Sequence, residues 1–409
     1  MTNTDIIIIG GGAAGFFTAI NAAEKNRKLQ IVLLERGKEV LNKVKISGGG
    51  RCNVTHAEFV PKELTFNYPR GEKELLGPFH TFMTGDTIEW FENRGVPLKI
   101  EEDGRMFPVS DSSQTIIDLF TSETQRLGID VLKNHSVKEF SKEDNRWLVT
   151  TSEGVFTAKK LVIASGSNPK IWKLLEAVGH SIIPPVPSLF TFNIKDSRII
   201  DLPGIATEAA VKVVDANGKV QLESEGPLLI THWGMSGPAI LKLSAWGARV
   251  LEPTKYHFSI KVNWLLDVSE EETLENLLDL KMSSPKQTVL KYTQFELPKR
   301  LWQSLVKAAG IHEVETWADI TKRKLQNLAN QICDSHFDVK GKSTFKEEFV
   351  TAGGVNLKEV HFKTFESKLQ TNLYFAGEVL NIDAITGGFN FQNAWTGGYM
   401  VAQAITSES

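Results

Sequence analysis

Cysteine is scarce in this chain: 409 residues include only Cys52 and Cys333. Two thiols so far apart in sequence suggest neither a disulfide framework nor a metal centre, and a reducing, cytoplasmic setting fits them. An excess of one charge is also missing. The 46 Lys and Arg against 49 Asp and Glu leave a net charge of −3, which gives no electrostatic footprint for nucleic acid or an anionic membrane. No apolar run reaches membrane-spanning length, because glycines interrupt the one that opens the chain. Asp5 precedes that run and no basic leader does, so a secretory signal is not expected. These absences point to a soluble protein. With 41% hydrophobic and 23% charged residues the composition is that of a globular chain, and the length exceeds what one core usually supports.

What the chain does have begins at Asp5. Ile6–Ile9 is a β-branched run suited to a central parallel strand buried on both faces. Gly10, Gly12 and Gly15 follow at the G-x-G-x-x-G spacing, and Phe16–Ala23 reads as a helix. Gly10 permits the tight turn, Gly12 removes the Cβ that would stand between backbone and pyrophosphate, and Gly15 lets helix and strand pack closely. The helix start, with Ala13 and Ala14, offers free N–H groups and a positive dipole to phosphates. A second strand, Ile31–Leu34, ends in Glu35, 20 residues past Gly15, where a carboxylate accepts hydrogen bonds from an adenosine ribose. The strand–turn–helix–strand context marks a dinucleotide-binding unit.

The stretch Lys43–Thr55 comes next, with Gly48, Gly49 and Gly50 in succession. Such glycines let backbone N–H groups converge on an anion or a ring edge. Arg51 adds a permanent charge, and Ser47, Asn53 and Thr55 add neutral donors. The plain alternative is a flexible loop with a solvated arginine. Cys52 has no C-x-x-C partner, so a small packed residue describes it better than a redox thiol.

Ser47–Thr55, together with the amino-terminal fingerprint, resembles the BaiN/YhiN-like flavoproteins, also known as aminoacetone-oxidase-type FAD-binding enzymes. The likeness continues through Gly104–Pro108, Thr231–Pro238 (Thr-His-Trp-Gly-Met-Ser-Gly-Pro), Thr351–Val355, Leu373–Leu380 and Thr386–Trp395, and so spans nearly the whole chain in order. It implies an α/β fold: a Rossmann-like FAD-binding domain with an inserted β-barrel plus helical subdomain. It implies FAD as cofactor, with contacts from Gly10, Gly12, Ala13, Ala14, Gly15, Glu35, Arg36, Lys43, Ser47, Gly49, Gly50, Arg51, Cys52 and Asn53. Lys160–Ser167 resembles the A-T-G-G turn of FAD proteins, with Ser165 and Ser167 in place of Thr and Gly, and adds Ala164, Ser165 and Gly166. Val137 stands where a backbone amide meets the adenine edge in such folds. Gly377-Glu378 is similar to turns whose carboxylate holds the ribityl hydroxyls. Gly388, Asn390, Phe391 and Gln392 lead into a helix, read over Asn393–Ala404, whose first amides would face the flavin N1/C2=O edge, where negative charge collects on reduction. The family carries Asp where this chain has Asn381; Asp383 is retained nearby and joins the cofactor set.

Residues 1–187 are expected to form the first part of the FAD domain. Within them Thr87–Gly95 and Ser113–Leu127 have helical spacing, while Ile129–Glu139, Trp147–Thr151 and Gly154–Ala158 alternate like antiparallel strands. Pro184–Pro187 reads as a linker. A second glycine fingerprint, which binds NAD(P)H in glutathione-reductase-like proteins, is missing between residues 170 and 350. Instead residues 188–265, the barrel-like insertion, hold strand-like segments at Phe190–Ile194, Ala206–Val214, Leu228–Thr231 and His257–Val262. Residues 266–345 hold helices that start at Ser269 and after Pro298, and a third over Thr316–Ile332. Residues 346–409 complete the FAD domain.

Two side chains are catalytic candidates. Arg105 lies in a turn that the resemblance puts near the active site, and is either an anchor for an acidic substrate group or half of a surface salt bridge. His232 is either a proton relay over the flavin or a packed or capping histidine, and Ser236 can equally be an N-cap. The resemblance implies an oxidoreductase that passes hydride through the flavin. One form is a reductase of an activated C=C or carbonyl compound, with NAD(P)H as transient donor. The other is an oxidase of a small amine or amino-ketone that yields hydrogen peroxide. A flavin-bearing binding or sensing module is the third reading. The expected partner is a small-molecule substrate, with no nucleic acid and no membrane, on a monomer or homodimer.

Overall fold

The computed structural model describes residues 1–343 and 350–407. Its contacts divide the chain into two units, Met1–Val186 with Lys346–Ser409, and Pro187–Phe345. The return point read between residues 345 and 346 lies outside the described residues.

The first unit is built on a parallel sheet. Thr2–Ile9 is central, with Val155–Ile163 on one side and Ile31–Leu34 on the other, and with Leu373–Phe375 and Asp130–Leu132 outside them. Ile6–Ile9 are at most 4% exposed, as a strand covered on both faces requires. The helix Ala13–Lys25 packs against the last helix, Phe389–Thr406. Their close approach needs small residues: a Cβ on Gly398 would stand 3.1 Å from the Ala14 carbonyl. Phe17, Trp90, Phe120 and Trp395 fill the space beside them as one aromatic cluster.

Several elements depart from the sequence reading, among them Ile129–Glu139, which splits into Asp130–Leu132, parallel to Ile31–Leu34, and Val137–Glu143. Val155–Ile163 is one continuous strand, not two segments; it pairs antiparallel with Arg146–Thr151 and parallel with Thr2–Ile9. Pro184–Pro187 holds the boundary between the two units, as read, but it is a strand and not irregular chain, because Ile182–Ser188 forms a two-stranded sheet with Val350–Val355. Proline's fixed φ suits extended backbone, and its missing N–H is tolerated where one side of a strand is unpaired.

The second unit is a seven-stranded antiparallel sheet with three longer helices, Glu270–Ser283, Lys299–Ala308 and Lys322–Cys333. The strand order is Ser335–Lys340, His257–Asn263, Ala206–Val214, Val220–Thr231, Gly234–Ser236, Thr191–Asn193 and Lys342–Ser343. Sheet and helices share one core, in which Val211 and Ile260 meet Leu277, Trp302 and Leu328. Ser269 caps its helix by accepting from the Glu272 amide. Thr316–Ile332 is not a single helix. A short turn, Trp317–Asp319, ends at buried Ile320, and Thr321 caps a new helix by accepting from Lys324 N at 3.3 Å.

A buried polar node in the first unit makes stability depend on pH. His180 Nδ1 donates to Glu359 at 3.0 Å, so Nε2 accepts from the Ser367 hydroxyl at 2.9 Å, which itself accepts from the Leu369 and Gln370 amides. Every group is satisfied only with a neutral ring. Burial pushes the imidazole below its ordinary value against the pull of Glu359. The folded state therefore binds this proton less readily than the unfolded chain, and the stability it adds, full above about pH 6.5, is lost as pH falls. Calorimetry from about pH 7 to about pH 5 should show a falling Tm whose slope is smaller in His180→Gln; equal slopes would exclude this histidine as the source.

Candidate cofactor and active site

The glycines of the first turn divide into two kinds. A Cβ on Gly10, at φ +119, would meet the Ala164 carbonyl at 2.3 Å, and one on Gly15 would meet the Gly10 carbonyl at 2.0 Å. Gly12 has nothing within 4 Å of its would-be Cβ, so the space in front of the helix is open to a phosphate. The first helical bond is Phe16 N to Gly12 O and no side chain caps the helix, which leaves the Ala13, Ala14 and Gly15 amides outside the ladder.

Around this turn the other strand ends converge. Gly11 and Gly37 amides donate to the Glu35 carboxylate at 2.9 and 2.7 Å and fix it at the end of its strand. The Glu35 backbone bonds to Leu132 and His135, which brings the segment of buried Val137 to the same edge, while Arg36 is exposed. Gly10 backs onto Ala164 and Ser165, and Gly377 onto Ala14. Glu378 pairs with Lys43, its carboxylate 3.7 Å from where a Cβ on Gly166 would stand. All these positions follow the carboxyl ends of parallel strands, the usual location of a ligand crevice in such sheets.

The loop from Ser47 is wound by left-handed residues, with φ of +57, +69 and +87 at Gly48, Gly49 and Gly50, and +63 at Cys52. Ser47 donates its hydroxyl to the Val44 carbonyl. Cys52 is fully buried and its thiol is pushed up to about 12 by that burial, so it stays protonated and unreactive.

The last helix starts at Phe389, four residues before the start read from sequence. Its first helical bond is Gln392 N to Gly388 O, so the amides of its opening turn also lie outside the ladder. Gly388 must lack a Cβ, which would meet the Thr55 carbonyl at 2.5 Å and Asn53 Oδ1 at 2.9 Å. Asn53 Oδ1 is buried without a partner, and so is Asn381 Oδ1. Phe391 stacks on Trp395 at 5.5 Å. The side chains of Asn390 and Gln392 are struts. Asn390 holds the Ala384 backbone from both sides, and buried Gln392 accepts from Thr55 and Thr87 and donates to Thr396. Gln392→Leu should cost about 1–3 kcal/mol in a urea titration, because it leaves buried hydroxyls unpaired; an unchanged midpoint would show the network to be dispensable. Asp383, wholly buried, is held bidentate by Arg70.

The sequence reading missed His56. Its Nδ1 donates to the Gly387 carbonyl at 3.0 Å and its ring lies 4.5 Å from that of Phe389. A Cβ on Gly104 would stand 2.6 Å from Nε2, and His56 pairs across strands with Arg105. One side chain thus joins the glycine loop, the Gly104–Pro108 turn and the start of the last helix. Burial pushes it below the ordinary histidine value, so it is neutral near pH 7.

Neither Arg51, read as a cofactor contact, nor Arg105, read as an anchor for an acidic group or half of a salt bridge, is unpaired. Arg51 pairs with Glu101 at 2.5 Å and lies over the Phe107 ring at 3.9 Å, while Arg105 pairs with Asp103 at 2.6 Å and Glu101 at 3.3 Å. Lys99 and Asp111 complete a cluster whose charges cancel, so an uncharged ligand suits this end better than an acidic one. His232 lies in the second unit, exposed, in the turn between Val220–Thr231 and Gly234–Ser236. Ser236 is not an N-cap: it bonds Thr191 at 3.0 Å, and Gly237 precedes the helix Pro238–Trp246.

These features fit FAD: an open cradle at Gly12, free amides at two helix starts, the carboxylates of Glu35 and Glu378 after two strand ends, and an unpaired acceptor at Asn53. Among the described residues no helix is long and apolar enough to cross a membrane, and no group of His, Cys, Asp and Glu could hold a metal. Comparison with known proteins agrees with the geometry. The chain is 30% identical to the ribosomal RNA dihydrouridine synthase of Haemophilus influenzae over 98% of both chains. It is 25% identical to the 3-dehydro-bile acid delta(4,6)-reductase of Clostridium scindens over 97% of this chain and 98% of that one. The 3-ketosteroid-delta4-(5alpha)-dehydrogenase of Rhodococcus jostii shares the fold, with a TM-score of 0.53 at 11% identity over 100% of this chain and 97% of that one. Residues 4–404 match the HI0933-like protein Rossmann domain, and the chain therefore belongs to that family, the FAD-dependent oxidoreductases of the BaiN/YhiN group.

Proposed function

We propose that this enzyme adds two hydrogens across a carbon–carbon double bond conjugated to a carbonyl, and that its substrate is the uracil ring of a ribosomal RNA nucleotide. The observation that carries the reading is the full-length relationship to a ribosomal RNA dihydrouridine synthase. The bile acid reductase supports it, since the name of that relative describes reduction of double bonds conjugated to a 3-ketone. Uracil and a 4,6-unsaturated 3-ketone share one demand: hydride goes to the far carbon and a proton to the carbon beside the carbonyl.

FAD supplies the hydride when bound, with NAD(P)H as the donor that reloads it. The Ala13–Gly15 amides would hold the pyrophosphate, Glu35 the ribose, and Glu378 with Lys43 the ribityl chain. Asn53 and the opening amides of the last helix would hold the ring edge, where a positive helix end favours negative charge. The charge-cancelled cluster around Arg51 and Arg105 suits an uncharged uracil. Within the first unit this reading assigns the movement of the proton to His56, whose Nδ1 is held by the Gly387 carbonyl.

An RNA substrate replaces the expectation of no nucleic-acid partner. That expectation rested on net charge, which governs non-specific attraction and not the recognition of one unstacked nucleotide. The test is mass spectrometry of unmodified ribosomal RNA after incubation with the holoenzyme and NADPH. The expected result is a gain of two hydrogens on one uridine, dependent on NADPH. No gain on RNA with turnover of a small conjugated ketone would move the substrate to that class.

A further inference from the structure

We propose that Trp233 is a stacking platform for a base of single-stranded RNA, carried on the fixed tip of a hairpin in the second unit. The proposal rests on the RNA reading above and assigns it a binding surface. Seven of the nine tryptophans are at most 7% exposed; Trp246 is 41% exposed and Trp233, the most exposed, 57%. Its place is as unusual as its exposure. Thr231 pairs with Gly234, so His232 and Trp233 are the two residues of the turn itself. Turns of that length favour Gly, Asn and Asp for their backbone freedom. A large aromatic adds nothing to such a turn, and its exposed ring contributes little to the core.

The tip is held firmly. The Trp233 amide donates to Thr231 Oγ1 at 3.2 Å, and its carbonyl accepts from the Ile194 amide at 2.9 Å. Gly234 lies so close to the neighbouring strand that a Cβ would meet the Phe192 carbonyl at 2.2 Å. The ring is therefore presented by a scaffold that does not have to be ordered on binding. The same pairing brings in a cation. Lys195, next to Ile194, is exposed, as is His232 beside the ring. An exposed aromatic on a tip that also carries an exposed imidazole, with an exposed lysine next to the residue that holds its backbone, matches the recognition of an unstacked nucleotide, in which stacking supplies affinity and a few cations meet the backbone. The aromatic–basic pattern is absent from the linear sequence because Lys195 and Trp233 lie in separate segments, joined by the Ile194–Trp233 backbone bond.

Holoenzyme binding to a fluorescein-labelled single-stranded oligouridine tests this by anisotropy over a salt series. Trp233→Ala should weaken binding about tenfold or more, the scale of losing one base–aromatic stack, and Trp233→Phe should retain most of the affinity. Lys195→Ala should lower the salt slope by about one. With ribosomal RNA as substrate, Trp233→Ala should raise KM while leaving flavin bleaching by NADPH unchanged. Equal affinity of Trp233→Ala and wild type for the oligonucleotide would overturn the platform while leaving the RNA reading in place. Wild-type enzyme that ignores RNA yet reduces a conjugated ketone would overturn both.

Discussion

Gly15→Ala is expected to yield a colourless, destabilised protein. The new Cβ would stand 2.0 Å from the Gly10 carbonyl, and Gly10 is itself held against the Ala164 carbonyl, so neither backbone can yield. Overpacking against two fixed strands costs about 3 kcal/mol or more, read as a lower urea midpoint and loss of the flavin band. Gly12→Ala is the control that separates fold from cofactor. Gly12 has φ −99 and open space at its Cβ position, so the apoprotein should keep its stability while FAD affinity falls. A Gly12→Ala protein that binds FAD like wild type would remove the pyrophosphate from that cradle.

Removing the carboxylate of Asp383 should be nearly as damaging, but for an electrostatic reason. Asp383 is wholly buried and Arg70 largely so, and the two form a bidentate pair across the first unit. Asp383→Ala leaves a guanidinium without its counter-charge in a dry site, a loss of about 3–5 kcal/mol. The pair need not be worth that much in itself, since matched apolar replacements of both partners are often close to neutral. Asp383→Leu combined with Arg70→Met should therefore recover most of the stability lost in Asp383→Ala. If Asp383→Ala instead keeps its urea midpoint and loses only FAD, the carboxylate acts on the cofactor and not on the fold.

The contrast between these two residues shows what the sequence can and cannot display. Gly15 was legible because its neighbours in space are neighbours in sequence: strand, turn and helix lie within Thr2–Lys25. The Arg70 pair of Asp383 was not legible, because the two residues are 313 positions apart and nothing local signals the pair. His56 was missed for the same reason. Its bond to Gly387 spans 331 residues, and in sequence it is only the residue after Thr55. Pro184–Pro187 was legible as a boundary but not as a strand, because proline is a strong local marker of irregular chain, whereas the strand is decided by Val350–Val355. Arg51 and Arg105 show a further limit. Sequence gives their charge, but not the three carboxylates that cancel it.

The central claim is that reduced flavin in this enzyme passes its hydride to a conjugated double bond. The most direct measurement is anaerobic: bleach the holoenzyme with a stoichiometric amount of NADPH, add unmodified ribosomal RNA under nitrogen, and follow the oxidised flavin band. The account predicts that the band returns without oxygen, with one dihydrouridine formed for each flavin reoxidised. A flavin that stays bleached with RNA and with conjugated ketones, yet recovers in air with release of hydrogen peroxide, would contradict the account and make the enzyme an oxidase.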